Sequence, residues 1–368
     1  MKRWAAIARF GGVGDNLVAG SVLAPLKRMG YMTEVITSPP NHIVYLHNPY
    51  IDKISVKIVE RDLPQGDLDK WQGWIESRAK EYDIFVHASH SMEGRHAFFS
   101  SMTCFWWPQD YRRKLGAGSY LETVHDIAGV PYEFGPLFFT SDDEKKNAKQ
   151  IKAQIGDKVV AWVLSGSRID KVYTSAPQAI ARIIKECDVP VVLVGAPTEK
   201  EFSMAETIKQ LVADQNGNRD KLHSVVLSPQ APEEIRTTVR PALALLHECD
   251  LVVTPDTGPA WAVAMEKMPK VVMVSHASVE NITKHWINTV TLHADPIRVP
   301  CWPCHRLHNG PETCVRNKEG NGAACISDIS VEAVVQSVKA GLRTTSVIHA
   351  ETAFSVAHRQ RRESISHP

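Results

Sequence analysis

The sequence has no apolar run near the roughly 18 residues that a membrane span needs. Its longest, such as Val159–Leu164 and Val189–Gly195, are far shorter, so no helix is expected to cross a bilayer. Lys2 and Arg3 precede only the short apolar segment Trp4–Ala8 before Arg9 interrupts it, which is not the pattern of a cleaved export signal. An excess of one charge is also missing. With 42 Lys plus Arg against 41 Asp plus Glu the net charge is +1, which argues against a generally basic nucleic-acid binder and leaves room for a local basic pocket. The seven cysteines are an odd number, and Cys104, Cys187 and Cys249 lie in apolar or helical contexts. A disulfide-built secreted scaffold is therefore not indicated, and the expected location is the cytoplasm. There is no repeat of solenoid length and no low-complexity tract.

What is present suits two α/β domains. The 368 residues are 43% apolar, enough for two cores. In the first half, short apolar runs (Trp4–Phe10, Met32–Thr37, Asp83–His87) alternate with helical stretches such as Leu17–Met29. In the second half Val159–Leu164, Pro190–Val194, Ser224–Leu227, Leu251–Thr254 and Val271–Ser275 are continuous apolar runs, the mark of parallel strands buried on both faces. The polar stretch Ser141–Ile155 reads as a linking helix capped by Ser141 or Asp142. The expected divisions are 1–145, a Rossmann-like acceptor-side domain, and 146–330, a Rossmann-like donor domain, with their sheets facing a cleft. A helix over 331–343 is expected to return to brace the first domain, and residues 344–368 to form a flexible tail. Ligands bind such sheets at the carboxyl ends of the strands, so function is expected in the loops there.

Three sets of loops carry chemistry. Gly11, Gly12, Val13, Gly14 and Asp15 turn the chain from the first strand into a helix; Asp15 either caps that helix or serves as a carboxylate base aimed across the cleft. The loop lacks the last glycine of G-x-G-x-x-G and is a poor dinucleotide fingerprint. After the strand ending at Leu164, Gly166, Ser167, Arg168 and Lys171 put small groups beside two cations, of which Lys171 is a point charge and Arg168 a planar fork. After Leu251–Thr254, Asp256, Thr257 and Gly258 lead through Pro259 into a helix expected over Ala260–Lys267, whose amino end favours an anion. Two such loops on one cleft describe a diphosphate site. Glu199 and Glu201, after a neighbouring strand, suit ribose hydroxyls or the acidic first turn of the next helix.

With these loops in order, the chain resembles the heptosyltransferase-like family nine of glycosyltransferases, of GT-B architecture. The likeness runs over most of residues 4–342. It rests on GVGD (Gly12–Asp15), NPYID (Asn48–Asp52), GSRIDK (Gly166–Lys171), GAPTEKE (Gly195–Glu201) and, most specifically, DLVVTPDTGPAWAVA (Asp250–Ala264). The resemblance implies inverting transfer of a sugar from a nucleotide-diphosphate donor, ADP-heptose-like, to an acceptor hydroxyl of lipopolysaccharide core or another glycan or glycolipid. Peripheral membrane contact is compatible with it, and nucleic acid is not an expected partner. It implies Asp15 as general base, Ser167 and Lys171 as phosphate contacts, Glu199 or Glu201 at the ribose, and Asp256, Thr257 and Gly258 around the diphosphate. Where the family commonly has a histidine three residues after DTG, this chain has Trp261, expected to place an indole in the donor pocket.

Without a D-x-D pair near these loops, the transfer is expected to need no metal or other cofactor, and closure of the cleft is expected to assemble the site. Cys301, Cys304, Cys314 and Cys325, with His305 and His308 among them, offer one C-x-x-C half of a structural zinc site; free or oxidised thiols are the alternatives. Two other functions fit the same architecture: a nucleotide-sugar 2-epimerase, and a non-catalytic nucleotide-sugar or nucleic-acid binding protein.

Overall fold

The computed structural model describes residues 2–58, 65–89, 91–166, 168–214, 218–228, 230, 239–308, 313–315 and 322–343. Among the expected features, Ser167 and the tail from 344 lie outside the described residues.

Two parallel sheets organise the chain. The first has the order β3-β2-β1-β4, from β1 (Trp4–Ala8), β2 (Met32–Thr37), β3 (Lys53–Val56) and β4 (Ile84–His87). β1 is central, with Ala5 beside Thr33 on one side and Ile84 on the other. Its Ala5–Ala8 run is fully buried because helices cover both faces, the usual fate of an inner parallel strand. The helix Val13–Gly20 and its continuation Leu23–Arg28 cover one face with Leu17, Val18, Leu23 and Leu26. Each such fully buried aliphatic side chain contributes about 1.5–3 kcal/mol.

The second sheet has the order β11-β10-β9-β6-β7-β8, from β6 (Val160–Val163), β7 (Val191–Val194), β8 (Leu222–Ser224), β9 (Leu251–Pro255), β10 (Lys270–Met273) and β11 (Thr289–Leu292). Strand β8 ends where the apolar pattern places the start of a strand: Leu222 buries against the core while Val225–Leu227 have left the sheet. The inner strands β6, β7, β9 and β10 are buried throughout.

The linking helix is Asp142–Ile155, started by Ser141, whose side chain accepts from the Glu144 amide while Glu144 accepts from the Ser141 amide. Glu144 also pairs with the buried Arg240, which donates to the carbonyls of Phe139 and Ile43, so one guanidinium ties the linker to both halves. The helix over 331–343 corrects one expectation. Val334, Val335, Val338 and Leu342 pack into the core of the second sheet, not against the first domain, because their apolar stripe meets Leu251 and its neighbours.

The halves are joined by more than the linker. One apolar cluster contains both Leu17 and Val18 of the first half and Ala161, Val163, Val194 and Val252 of the second. A short parallel pair, β5 (Phe98–Phe99) with β12 (Arg306–Leu307), crosses between them.

Candidate functional site

The loop after β1 is fixed by Asn16, fully buried, whose amide donates to the carbonyls of Gly12 (2.8 Å) and Gly11 (3.3 Å). Asp15 caps the start of its helix: Oδ2 accepts from the Gly12 amide at 2.8 Å. Its Oδ1 lies 2.9 Å from Nη2 of Arg9, and the carboxylate stays about one-third exposed, at the surface of the junction. Arg9 is 1% exposed, donates to the Ala88 carbonyl, and meets Glu93 at 3.1 Å. Burial works against the Arg9 charge, but Asp15 and Glu93 outweigh it and hold the guanidinium firmly protonated. Two carboxylates on one cation leave this side of the site net negative.

On the other side the loops after β6 and β9 interlock. Lys171 Nζ reaches Asp256 Oδ2 at 3.3 Å, and a Cβ on Gly166 would come within 2.8 Å of Lys171 and 3.0 Å of Thr257. Thr257 is extended, starts the following helix, and keeps a buried hydroxyl with no hydrogen-bond partner among the described residues. That helix is shorter than the sequence suggests: it spans Gly258–Ala262 and turns out at Val263. With five residues it has little macrodipole, so attraction for an anion there rests on local amides, the Thr257 hydroxyl and Lys171.

Arg168 does not offer its fork to a ligand. Its Nε and Nη2 bind both oxygens of the buried Asp170, at 3.0 and 3.1 Å, and His276 closes the group at 3.2 Å from Asp170. Burial opposes the Asp170 charge, yet Arg168 and His276 hold its carboxyl well below the usual range. Burial, reinforced by the Arg168 charge, pushes His276 below its ordinary value. This group is the floor beneath the Lys171 loop. Glu201 is also committed: it accepts from Ser165 Oγ at 2.6 Å and from the Ala196 amide, bracing the loops after β6 and β7. Glu199 stays exposed in the first turn of the Glu199–Asp214 helix.

The two sides meet. A Cβ on Gly258 would lie 2.9 Å from Val13 Cβ and 3.0 Å from the Gly14 amide, and one on Gly14 would lie 3.2 Å from Gly258 Cα. Only paired glycines let the two helix starts approach so closely. Trp261 corrects the expectation of an indole lining the donor pocket. It is 4% exposed, packed beside Gly14, stacked on Tyr120 (centroids 6.3 Å, 13°) and edge-on to Trp286 at 4.8 Å. It is a wedge in the joint between halves. Thus Asp15, Lys171, Asp256, Thr257 and Gly258 surround one junction and Glu201 braces the loops behind it, whereas Glu199 is exposed on its helix and no contact among the described residues joins it to the group. Arg9 and Glu93 are the residues that sequence reasoning missed. A lone charge directly after a fully apolar strand was the available signal for Arg9; Glu93 carried none.

Three solved structures share this fold across nearly the whole chain. A family 9 glycosyltransferase from Veillonella parvula DSM 2008 superposes with a TM-score of 0.60 at 13% identity, covering 93% of this chain and 98% of its own. The ADP-heptose lps heptosyltransferase II of E. coli gives 0.58 at 14% identity, covering 93% and 99%. The E. coli heptosyltransferase WaaC with ADP gives 0.51 at 10% identity, covering 93% and 99%. The architecture is therefore the GT-B fold, and the class is that of a glycosyltransferase. Residues 118–271 match the model of glycosyltransferase family 9 (heptosyltransferase). The matched stretch includes Lys171, Asp256, Thr257 and Gly258 and leaves out the Asp15 loop. A search of curated protein sequences finds no match. No helix among the described residues is long and apolar enough to cross a membrane.

Proposed function

We propose that the chain transfers a sugar from a nucleotide-diphosphate sugar of the ADP-heptose type to a hydroxyl of lipopolysaccharide core or another glycan, with inversion and without a metal ion. The observation that carries this reading is the contact of Gly14 with Gly258, which brings a carboxylate loop and a cationic, hydroxyl-bearing loop to one point from opposite sheets. The E. coli relatives, named for ADP-heptose and for ADP, support the donor class.

In this reading the domain of residues 1–145 receives the acceptor and that of 146–330 holds the donor. The acceptor oxygen attacks the anomeric carbon from the face opposite the diphosphate. The new C–O bond forms as the bond to the β-phosphate oxygen breaks, and the hydroxyl proton passes to Asp15. Asp15 keeps a free lone pair on each oxygen, and Arg9 with the Gly12 amide holds it still. The departing nucleoside diphosphate takes the bonding electrons. Lys171 faces that charge, with the Thr257 hydroxyl, which has no partner among the described residues, and the Gly258 amide beside it. Asp256 positions Lys171 by its ion pair, and Glu199 or Glu201 borders the nucleoside.

The test is incubation with ADP-, GDP-, UDP- and CMP-sugars, with and without a glycan acceptor and in the presence of a chelator, followed by NMR of the product anomeric centre. Inverted product from one donor under chelation is expected. Retained configuration, loss of transfer on chelation, or epimerisation of the donor without acceptor contradicts the proposal.

A further inference from the structure

Among the described residues no three histidine, cysteine or carboxylate side chains stand together as a metal site, so the late cysteines leave the zinc option without support. The junction between the halves holds a different unassigned group. Tyr120 opens the helix Tyr120–Ala128, and only 8% of its surface is exposed. Its ring is stacked on Trp261 and tilted against His96, with centroids 6.3 and 5.3 Å apart. Its hydroxyl takes part in no hydrogen bond among the described residues. A phenol placed so deeply usually finds a partner, because an unmet hydroxyl costs stability.

The position of that hydroxyl follows from what holds the ring. Trp261 packs beside Gly14, where an added Cβ would meet the indole at 3.0 Å, so the ring stacked on Trp261 belongs to the same joint. The approach to Tyr120 is fixed from both halves: Asn281 donates to the carbonyls of Gly116 (2.5 Å) and Gly118 (2.7 Å), and His96 Nδ1 meets the Gly116 carbonyl at 3.0 Å. The charges that act on the phenol also come from both sides, Asp256 and Arg168 from one and Glu93 and Asp15 from the other. Burial, then the Asp256 charge, holds it well above its ordinary value, so it keeps its proton and cannot serve as a base. What remains is a neutral hydrogen-bonding group between the two loops.

We propose that the Tyr120 hydroxyl hydrogen-bonds a hydroxyl of the sugar being transferred and so selects the sugar part of the donor. This rests on the reading of Asp15 as base and of the Lys171–Asp256 side as the diphosphate site. In an inverting transfer the attacking oxygen, the anomeric carbon and the leaving oxygen lie nearly in line, so the sugar ring occupies the space between base and diphosphate. Tyr120 borders that space, flanked by the charges of both. A phenol suits a sugar hydroxyl, since it gives one hydrogen bond and accepts another without adding charge. The ring is held by Trp261 before the sugar arrives, so little ordering is needed on binding. Because the described residues give the hydroxyl no partner, a donor whose sugar lacks the matching hydroxyl leaves it unpaired and is disfavoured.

The experiment compares Tyr120→Phe with the unaltered chain in calorimetric titrations with ADP and with ADP-heptose, in transfer kinetics and in thermal melting. Phenylalanine keeps the stack on Trp261, so the melting temperature should not fall. ADP should bind within about twofold of the unaltered chain. ADP-heptose should bind about 3- to 10-fold more weakly, the worth of one neutral hydrogen bond, with kcat/KM falling at least as far. An equal loss for ADP and ADP-heptose, no loss for either, or a rise in the acceptor KM alone would overturn the proposal, as would a lowered melting temperature. The unaltered chain separates this from the reading beneath it. If it binds neither ADP nor ADP-heptose, the donor site falls and the role of Tyr120 with it; if it transfers the sugar and Tyr120→Phe matches it in every titration, only the role of Tyr120 falls.

Discussion

The loop after β1 and the loops after β6 and β9 are built alike and charged differently. Each follows a buried parallel strand, each turns on glycine, and each starts a helix at the same junction. On the first side, one buried guanidinium carries two carboxylates, Asp15 and Glu93. On the second, Lys171 meets Asp256, and a hydroxyl without a partner among the described residues stands next to it. Strand and turn thus supply position only. The chemistry is written in which side chains each turn carries, which is why one architecture can hold a base on one sheet and a diphosphate site on the other.

The contrast can be broken most severely at Arg9. Arg9→Met removes the cation between two carboxylates and leaves the Ala88 carbonyl without that donor. Losing one partner of a buried pair costs about 3 kcal/mol here, the low end of the range because Asp15 is partly solvated. A lowered denaturation midpoint in urea, together with at least roughly tenfold slower transfer, is expected. At Lys171 the second side can be tested alone. Lys171→Ala should weaken donor binding about 10- to 100-fold, the value of a charged hydrogen bond, as read by titration calorimetry with nucleotide-sugar. Gly258→Ala tests the contact itself. Its Cβ would press on Val13 and the Gly14 backbone, which cannot swing aside, costing about 1–3 kcal/mol. Gly73→Ala, which meets nothing within 4 Å, is the control and should not lower the melting temperature.

The smallest effect concerns pH. Burial of His247, whose Nε2 donates to the Ala262 carbonyl 3.0 Å away, pushes its pKa down to about 4. The folded chain therefore binds fewer protons there than the unfolded one. Its contribution to stability is complete above the ordinary histidine value near 6.5 and is lost as pH falls from there towards about 4. His247→Gln should flatten the acid side of a melting-temperature profile over that window.

Much of this contrast could be read from the residues. Continuous apolar runs such as Val159–Leu164 announce parallel strands, and Ser141 followed by Glu144 announces a helix start. Strands β3 and β11 stay hidden because they lie at sheet edges, where half-exposed residues such as Lys53 and Thr289 break the apolar pattern. Asp15, Lys171 and Gly258 stand out through their glycine-rich turns. Arg168 misleads, since nothing local shows that its fork is taken by Asp170, two residues on but buried. The short helix after Thr257 misleads for a similar reason: the helical propensity of Ala260–Lys267 yields to a turn at Val263, where Trp261 packs into the joint. Trp261 and Glu93 depend on partners far off in sequence, Tyr120 and Arg9 respectively, and only the fold brings those together.

The division of labour between the two loops is tested most directly by measuring donor binding and sugar transfer side by side on Asp15→Asn. General-base help of about 10²–10⁴, or roughly 3–5 kcal/mol of barrier, should disappear while the donor dissociation constant stays within about twofold of the unaltered chain. Turnover equal to that of the unaltered chain, or a loss of donor affinity as large as that of Lys171→Ala, would contradict it.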